Sequence, residues 1–311
     1  MRKSPIVSRV SCLIAFALPA SMSPAATSRE AGFFIDEHLR GLGSVTALAF
    51  APDGTLFIAE KAGALKVLPF GAGSPKAFAT LSVYTASECG LLGVALDPDY
   101  AGYSKGGHVY VFATVSGNEQ RIIRFRDANG TGSERAEIKT GLPTLGANHD
   151  GGCLRIGPDG KFYLAIGDGG SGSSKAQDVT NLFGKVMRLN LDGTIPGDNP
   201  ALSAVHANYR REIFAYGFRN PFRIAIRPTG PGPSDFQVFV DDVGSSGGGR
   251  REEVNRVLAG KNHGWPNVEG IAAPDPRYVN PIHAYSADGN SIVGGVFYQG
   301  SLFPEAYRGN F

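Results

Sequence analysis

The chain of 311 residues is poor in charge, in cysteine and in long apolar runs. Charged residues make up 19%, the formal net charge is +2, and no Lys/Arg-rich run occurs, so the electrostatic footprint of a nucleic-acid binder is missing. The one apolar run of note, Val10 to Ala20, falls well short of the ~20 residues a membrane-spanning helix needs. Helical periodicity is almost absent beyond that run; Ala176 to Phe183 offers one turn or two. Three cysteines, Cys12, Cys89 and Cys153, allow at most one bridge. What is abundant is glycine, 43, and proline, 20, against a 42% hydrophobic content. That combination describes a turn-rich globular chain, too apolar for disorder and long enough for one large or two ordinary domains.

The first 25 residues read as a signal peptide. Arg2, Lys3 and Arg9 form a basic start, Val10 to Ala20 an apolar middle, and Ser23-Pro24-Ala25 a small-residue cleavage site. Cys12 precedes the apolar run, which argues against a lipid anchor. Cleavage after Ala25 leaves 27 basic against 28 acidic residues. The expected mature protein, 26–311, is near neutral and exported, periplasmic or secreted, with no membrane span after cleavage. An oxidising compartment permits a Cys89–Cys153 disulfide; two separate buried thiols are the alternative.

A weak repeat organises the rest. An apolar strand, a Pro turn and a second strand recur around Pro52, Pro98, Pro158 and Pro228, at steps of 46, 60 and 70 residues. Further strands close the units: Gly63 to Leu68, Arg121 to Phe125, Gly184 to Leu189 and Glu253 to Val257. Units of about four strands and ~45 or more residues are the signature of an all-β propeller. From Ser291 to Phe311 a further strand pair is expected, with the ring still open.

The most informative stretch is Ala147 to Gly170, ANHDGGCLRIGPDGKFYLAIGDGG. Gly157-Pro158-Asp159-Gly160 is a turn between alternating flanks. In a hairpin centred between 158 and 159, opposed residues have numbers that sum to 317, which places His149 opposite Asp168. Opposed side chains hold their Cβ atoms roughly 4.5–5.5 Å apart, close enough for an imidazole to meet a carboxylate. A carboxylate that orients a histidine makes a general base; a structural surface pair is the alternative. Gly151-Gly152 invites a bulge and a one-residue slip.

Three more clusters stand out. Arg219-Asn220, before a Pro turn, sets an anion-binding guanidinium beside an amide. Asp241 to Asn255 mixes carboxylates with a Gly-rich loop of the kind that offers oxygens to Ca²⁺, or it is a solvated loop. Glu88 stands in a loop entering a buried strand, as a ligand contact or a loop charge.

Taken together, ECGLLGVALDPDY, NHDGGCLRIGPDGKFYLAIGDGG, GKVMRLNLDGTIPGDNP, YGFRNPFRIA, EEVNRVLAGKNHGWPNV and GGVFYQGSLFP resemble the soluble quinoprotein glucose dehydrogenases and their aldose sugar dehydrogenase relatives. The resemblance keeps this order from Leu48 to Phe311. It implies a six-bladed β-propeller, incomplete here at its C-terminus, and an oxidoreductase that uses pyrroloquinoline quinone (PQQ) and Ca²⁺ to oxidise the anomeric carbon of aldoses to lactones. It assigns the base to His149, its orienting carboxylate to Asp168, and cofactor binding to Arg219 and Asn220, with Arg219 also neutralising charge on the reduced quinone. Substrate contacts fall on Glu88, where the family has Gln, and on Asn148, where it has an acid. Backbone oxygens of Gly244 and Ser245 would hold Ca²⁺, in a loop about three residues longer than the family pattern. The family's other cofactor-gripping residues lie beyond Phe311, so 26–311 alone is expected to be inactive. The loops bearing Cys89 and Cys153 would surround one funnel. A sugar is the implied substrate; the electron acceptor stays open. A non-enzymatic Ca²⁺-stabilised propeller that binds a protein or glycan is the alternative, and a metal-dependent lactonase a third reading with fewer carboxylate candidates.

Overall fold

The computed structural model describes residues 33, 35–170, 174–247, 249–286 and 290–311. The signal peptide expected over 1–25 lies outside these. The chain divides into Met1–Gly41, whose described residues carry no helix or strand, and Leu42–Phe311, which carries every strand.

Sixteen strands form four antiparallel meanders. The first is β1 (Val45–Phe50), β2 (Leu56–Glu60), β3 (Ala64–Leu68) and β4 (Lys76–Thr80). The second is β5 (Leu91–Leu96), β6 (His108–Ser116), β7 (Glu119–Asp127) and β8 (Gly132–Pro143). The third is β9 (Leu154–Ile156), β10 (Lys161–Ile166), β11 (Lys185–Asn190) and β12 (Ile213–Tyr216). The fourth is β13 (Pro221–Pro228), β14 (Phe236–Asp242), β15 (Arg251–Val257) and β16 (His283–Ser286). Pro52, Pro98 and Pro158 sit in the link between the first two strands of their sheets and Pro228 ends the first strand of the fourth, and each expected closing strand is the third strand. These are the four-stranded blades of a β-propeller. Four are present among the described residues, where the resemblance implies six.

Burial explains the sequence texture. The middle strands β2, β6 and β10 are almost wholly buried and read as near-continuous apolar runs, while β11, equally buried, interrupts its run with Lys185 and Arg188. Outer strands β4, β8 and β16 are only partly buried, and the charges on β8 blunt its edge. One core joins the first two sheets through Phe57, Leu65, Phe78, Leu91 and Val109. A second joins sheets two and three, where Tyr110 and Phe162 meet edge to face at 4.9 Å. A third joins sheets three and four through Tyr163, Val186, Phe218, Ile224 and Val240. Each such side chain contributes roughly 1.5–3 kcal/mol by leaving water, so the loops at the sheet ends rest on a rigid base.

Two expectations are corrected. The helical turn lies at Ser174–Ala176, just ahead of most of the stretch expected to hold it. The segment 290–311 forms no strand ladder. Tyr298 exchanges backbone hydrogen bonds with Gly309 and Asn310 around a short 3₁₀ turn, Glu305–Tyr307, and Phe297 packs on Phe239. Without further pairing this stretch has too few main-chain partners to make a sheet.

Candidate active site

The hairpin that carries His149 and Asp168 differs from the expected register, yet brings the pair together. Its strands pair as Ile156–Phe162, Arg155–Tyr163 and Leu154–Leu164, so the turn is centred on Asp159 and paired numbers sum to 318. Further along, Ala165 C=O accepts from Gly152 N–H while Ala165 N–H donates to Cys153 C=O. Two residues then oppose one, which is a bulge, and beyond it the sum returns to 317. Gly151 (φ +63°) and Gly152 (φ +100°) make that bulge possible. A side chain at 152 would also strike Leu92.

His149 itself is left-handed (φ +59°), an uncommon backbone for a residue with a side chain. Its Nδ1 lies 2.5 Å from Asp168 Oδ1. Asp168 is fully buried and also accepts from Gly170 N–H at 2.8 Å and from Trp265 Nε1–H at 2.9 Å. Burial works to raise the Asp168 pKa, but the donors, His149 foremost, outweigh it and hold the carboxyl below its ordinary range. Asp168 is therefore ionised and accepts a hydrogen bond from Nδ1–H, which leaves Nε2 as the ring nitrogen free to act as a base. Gly167 permits the approach, since a Cβ there would meet the His149 carbonyl oxygen at 2.4 Å.

A polar cavity of about 240 Å³ opens beside the pair, lined by Glu88, Asn148, His149, Arg219, Asn220 and Arg250 among others. Larger cavities lie elsewhere, away from this chemistry: one of about 310 Å³ among the first strands of the four sheets and one of about 340 Å³ beside Tyr163, Phe214 and Phe236. All five expected catalytic, cofactor and substrate positions other than buried Asp168 thus line one wall set. Glu88 Oε2 accepts from His149 N–H at 2.8 Å and from the Asn220 side-chain amide at 3.1 Å. Asn148 accepts from Ser87 Oγ at 2.5 Å. Asp242, buried, accepts the backbone N–H groups of both Arg219 and Asn220 at 2.9 and 2.7 Å. Burial and the neighbouring Glu253 charge push its pKa well up against those two donors.

Arg219 NH1 donates to Val243 C=O at 3.0 Å, and its guanidinium lies 5.6 Å from the Trp265 ring centre. Ser245 N–H donates to Glu269 at 2.7 Å and Gly244 N–H to Glu252 at 3.2 Å. With their N–H groups spent, this pair has carbonyl oxygens to offer a cation. Among the described residues no three His, Cys, Asp or Glu side chains are arranged to hold a metal, so a hard cation here would rely on backbone oxygens. An acidic, planar quinone fits the arginine and amide donors of the cavity.

The cysteines correct an expectation. Both are buried free thiols. Cys89 Sγ donates to Asp150 at 3.1 Å, beside Thr144 and Gln120, which donate to the same carboxylate. Cys153 instead turns toward the fourth sheet, where its sulfur accepts from Ile224 N–H at 3.2 Å. The bulge at Gly152 separates the two environments, and no bridge forms. Burial, reinforced by Asp150, pushes the Cys89 thiol up to about 12. Burial likewise pushes Asp150 up against its Thr144 and Cys89 donors.

Sequence reasoning missed Trp265, Asp150 and Asp242 as parts of the site. Trp265 is the chain's single tryptophan and lies within a quoted motif, a signal that composition alone could have raised. Asp150 lies in the quoted hairpin stretch and Asp242 in the carboxylate-rich stretch Asp241 to Asn255, but neither stands out there by residue type.

Residues 42–311 match the family described as Glucose / Sorbosone dehydrogenase. The chain belongs to that family. Quinoprotein glucose dehydrogenase B of Acinetobacter calcoaceticus is 30% identical over 90% of this chain and 62% of its own length. Aldose sugar dehydrogenase YliI of Escherichia coli K12 is 30% identical over 83% of this chain and 71% of its own length. The PQQ-bound aldose sugar dehydrogenase of Streptomyces coelicolor superposes with a TM-score of 0.66 at 26% identity, over 80% of this chain and 71% of that one. The chain thus spans less than two thirds of the Acinetobacter protein. Among the described residues no helix of this sugar dehydrogenase family member is long and apolar enough to cross a membrane.

Proposed function

We propose that the protein is an exported dehydrogenase that oxidises the anomeric carbon of an aldose to a lactone, with PQQ and Ca²⁺ as cofactors. The observation that carries this reading is the His149–Asp168 pair opening onto a cavity that also holds Arg219 and Asn220. A base for a hydroxyl proton and donors for an acidic acceptor share one space. The basic and apolar start of the chain supports export.

His149 Nε2 removes the proton from the anomeric hydroxyl. Asp168 stabilises the imidazolium that results, as a buried carboxylate behind a histidine does. Arg219 and Asn220 would hold the quinone, and the carbonyl oxygens of Gly244 and Ser245 the cation. PQQ, when bound, supplies the two-electron acceptor and the cation polarises it. Glu88 fixes the His149 backbone and lines the sugar side together with Asn148.

The test is reconstitution of the complete protein with PQQ and Ca²⁺, followed by an aldose. Reduced-quinone absorbance and lactone formation are expected, and both should vanish in His149→Ala. Absence of any aldose-dependent reduction in protein that has bound PQQ refutes the reading.

A further inference from the structure

We propose that Trp265 is a positioning residue for proton transfer, acting through Asp168; this rests on the reading of His149 as the base. The indole Nε1–H donates to Asp168 Oδ2 at 2.9 Å, while Oδ1 faces His149 Nδ1 at 2.5 Å and Gly170 N–H at 2.8 Å. The carboxylate is therefore gripped at both oxygens and cannot swing away from the imidazole. The indole is itself anchored. Trp265 N–H donates to Gly217 C=O at 3.0 Å, and its carbonyl accepts from Gln177 Nε2 at 2.5 Å. Gln177 and Asn262 in turn exchange side-chain amide bonds of 2.7 and 3.0 Å. On the ring face lies Arg219. One side chain thus touches both the carboxylate behind the base and the arginine that lines the cavity.

The consequence is electrostatic. Asp168 is fully buried, so each donor to it counts for more than it would in water. With the indole N–H gone, the carboxylate has one donor fewer and holds the Nδ1 proton more strongly. The imidazolium is then favoured and Nε2 is less available as a neutral base near its midpoint. The other charged groups facing His149 are Glu88, bonded to its backbone, Asp150 next in the chain, and Arg219 and Arg250 in the same cavity. None of them bonds the indole N–H, so removing that donor while a ring stays under Arg219 leaves their own hydrogen bonds in place.

Trp265→Phe keeps a ring under Arg219 and removes the donor. In NMR titration of the full chain, with the His149 signal assigned by its loss in His149→Ala, the imidazole midpoint should rise so that proton affinity increases about threefold or more. In PQQ-loaded protein, kcat should fall about tenfold, the worth of one such hydrogen bond, with KM changed less than twofold and the acid limb of the kcat/KM profile moved up in step. Because this is the only tryptophan, global replacement by a benzothienyl analogue, sulfur in place of N–H, changes one position and preserves shape. It should reproduce the shift if the Phe variant folds poorly. An unmoved His149 midpoint in the analogue overturns the proposal, as does a lowered melting temperature with an unchanged pH profile. Loss of aldose oxidation in the wild type would refute the dehydrogenase reading while leaving the titration result to decide the coupling.

Discussion

Glu88 Oε2 accepts both the backbone N–H of His149 and the side-chain amide of Asn220. These three residues precede β9, β13 and, for Glu88 itself, β5, so one oxygen ties together loops from three sheets. Hydrogen bonds to a charged acceptor contribute roughly 1.5–3 kcal/mol each, less where water reaches them. Glu88→Ala is expected to lower unfolding free energy by about 1–3 kcal/mol, and Glu88→Gln, which keeps an acceptor oxygen, by less. Urea denaturation measures both. Equal losses in the two variants would mean that the carboxylate is not the strut.

Asp168→Asn tests the pair directly. An amide either donates to Nδ1 or presents a neutral oxygen, and in neither case stabilises an imidazolium. The expected loss in kcat is about 10²–10⁴-fold with little change in KM. Steady-state rates on PQQ-saturated protein check it, and near-normal turnover would remove Asp168 from the mechanism.

The blades were legible because a strand covered on both faces must be apolar and a tight turn needs Pro or Gly; both rules leave marks at Pro52, Pro98, Pro158 and Pro228. His149 and Asp168 were legible through hairpin arithmetic, though for a compensated reason. The turn is centred half a residue beyond the expected point, so paired numbers sum one higher, and the bulge at Gly151-Gly152 restores the sum. Local sequence allows both shifts without fixing either, since register is decided by which side chains the neighbouring sheets accept. Asp150, Asp242 and Trp265 were not legible as site parts. The roles of Asp150 and Trp265 come from contacts across sheets, and that of Asp242 from the residues leading into the neighbouring strand β13, pairings between positions well apart in the chain that no local pattern encodes.

His263 gives the fold a pH dependence of known sign. It is buried, stacked on Phe218 with ring centres 4.5 Å apart, and its Nε2 has no partner among the described residues. Burial pulls its pKa down to about 3. An unfolded histidine titrates near 6.5. Below that value the unfolded chain binds a proton that the folded chain refuses, so stability falls as pH drops from about 6.5 toward 3. At pH 4.5 the loss from this group is about 2–3 kcal/mol. His263→Phe, which keeps the stack, should lose less stability between pH 7 and pH 4.5 than the wild type. Denaturant midpoints at the two pH values decide it, and parallel losses in both proteins would contradict it.

The two buried thiols lead to the last prediction. Cys89 donates to Asp150, a carboxylate that also receives Thr144 and Gln120, and its thiol is pushed up to about 12. A thiol held protonated and out of water is a poor nucleophile, because the thiolate is the reactive form. Native protein should therefore leave Cys89 and Cys153 unmodified by a thiol reagent over minutes. The same protein unfolded without reductant should yield both, in addition to Cys12 where that residue is still present. Failure to recover them on unfolding would mean that they are bonded. Cys89→Ser separates the thiol's hydrogen bond from its bulk. A hydroxyl still donates to Asp150, so the variant should lose less than about 1 kcal/mol. Cys89→Val is similar in size but leaves the buried Asp150 one donor short, for a loss of about 1–3 kcal/mol. If Val proves as stable as Ser, the Cys89–Asp150 bond contributes nothing, and the loop around His149 is held by Glu88 together with the Thr144 and Gln120 donors to Asp150.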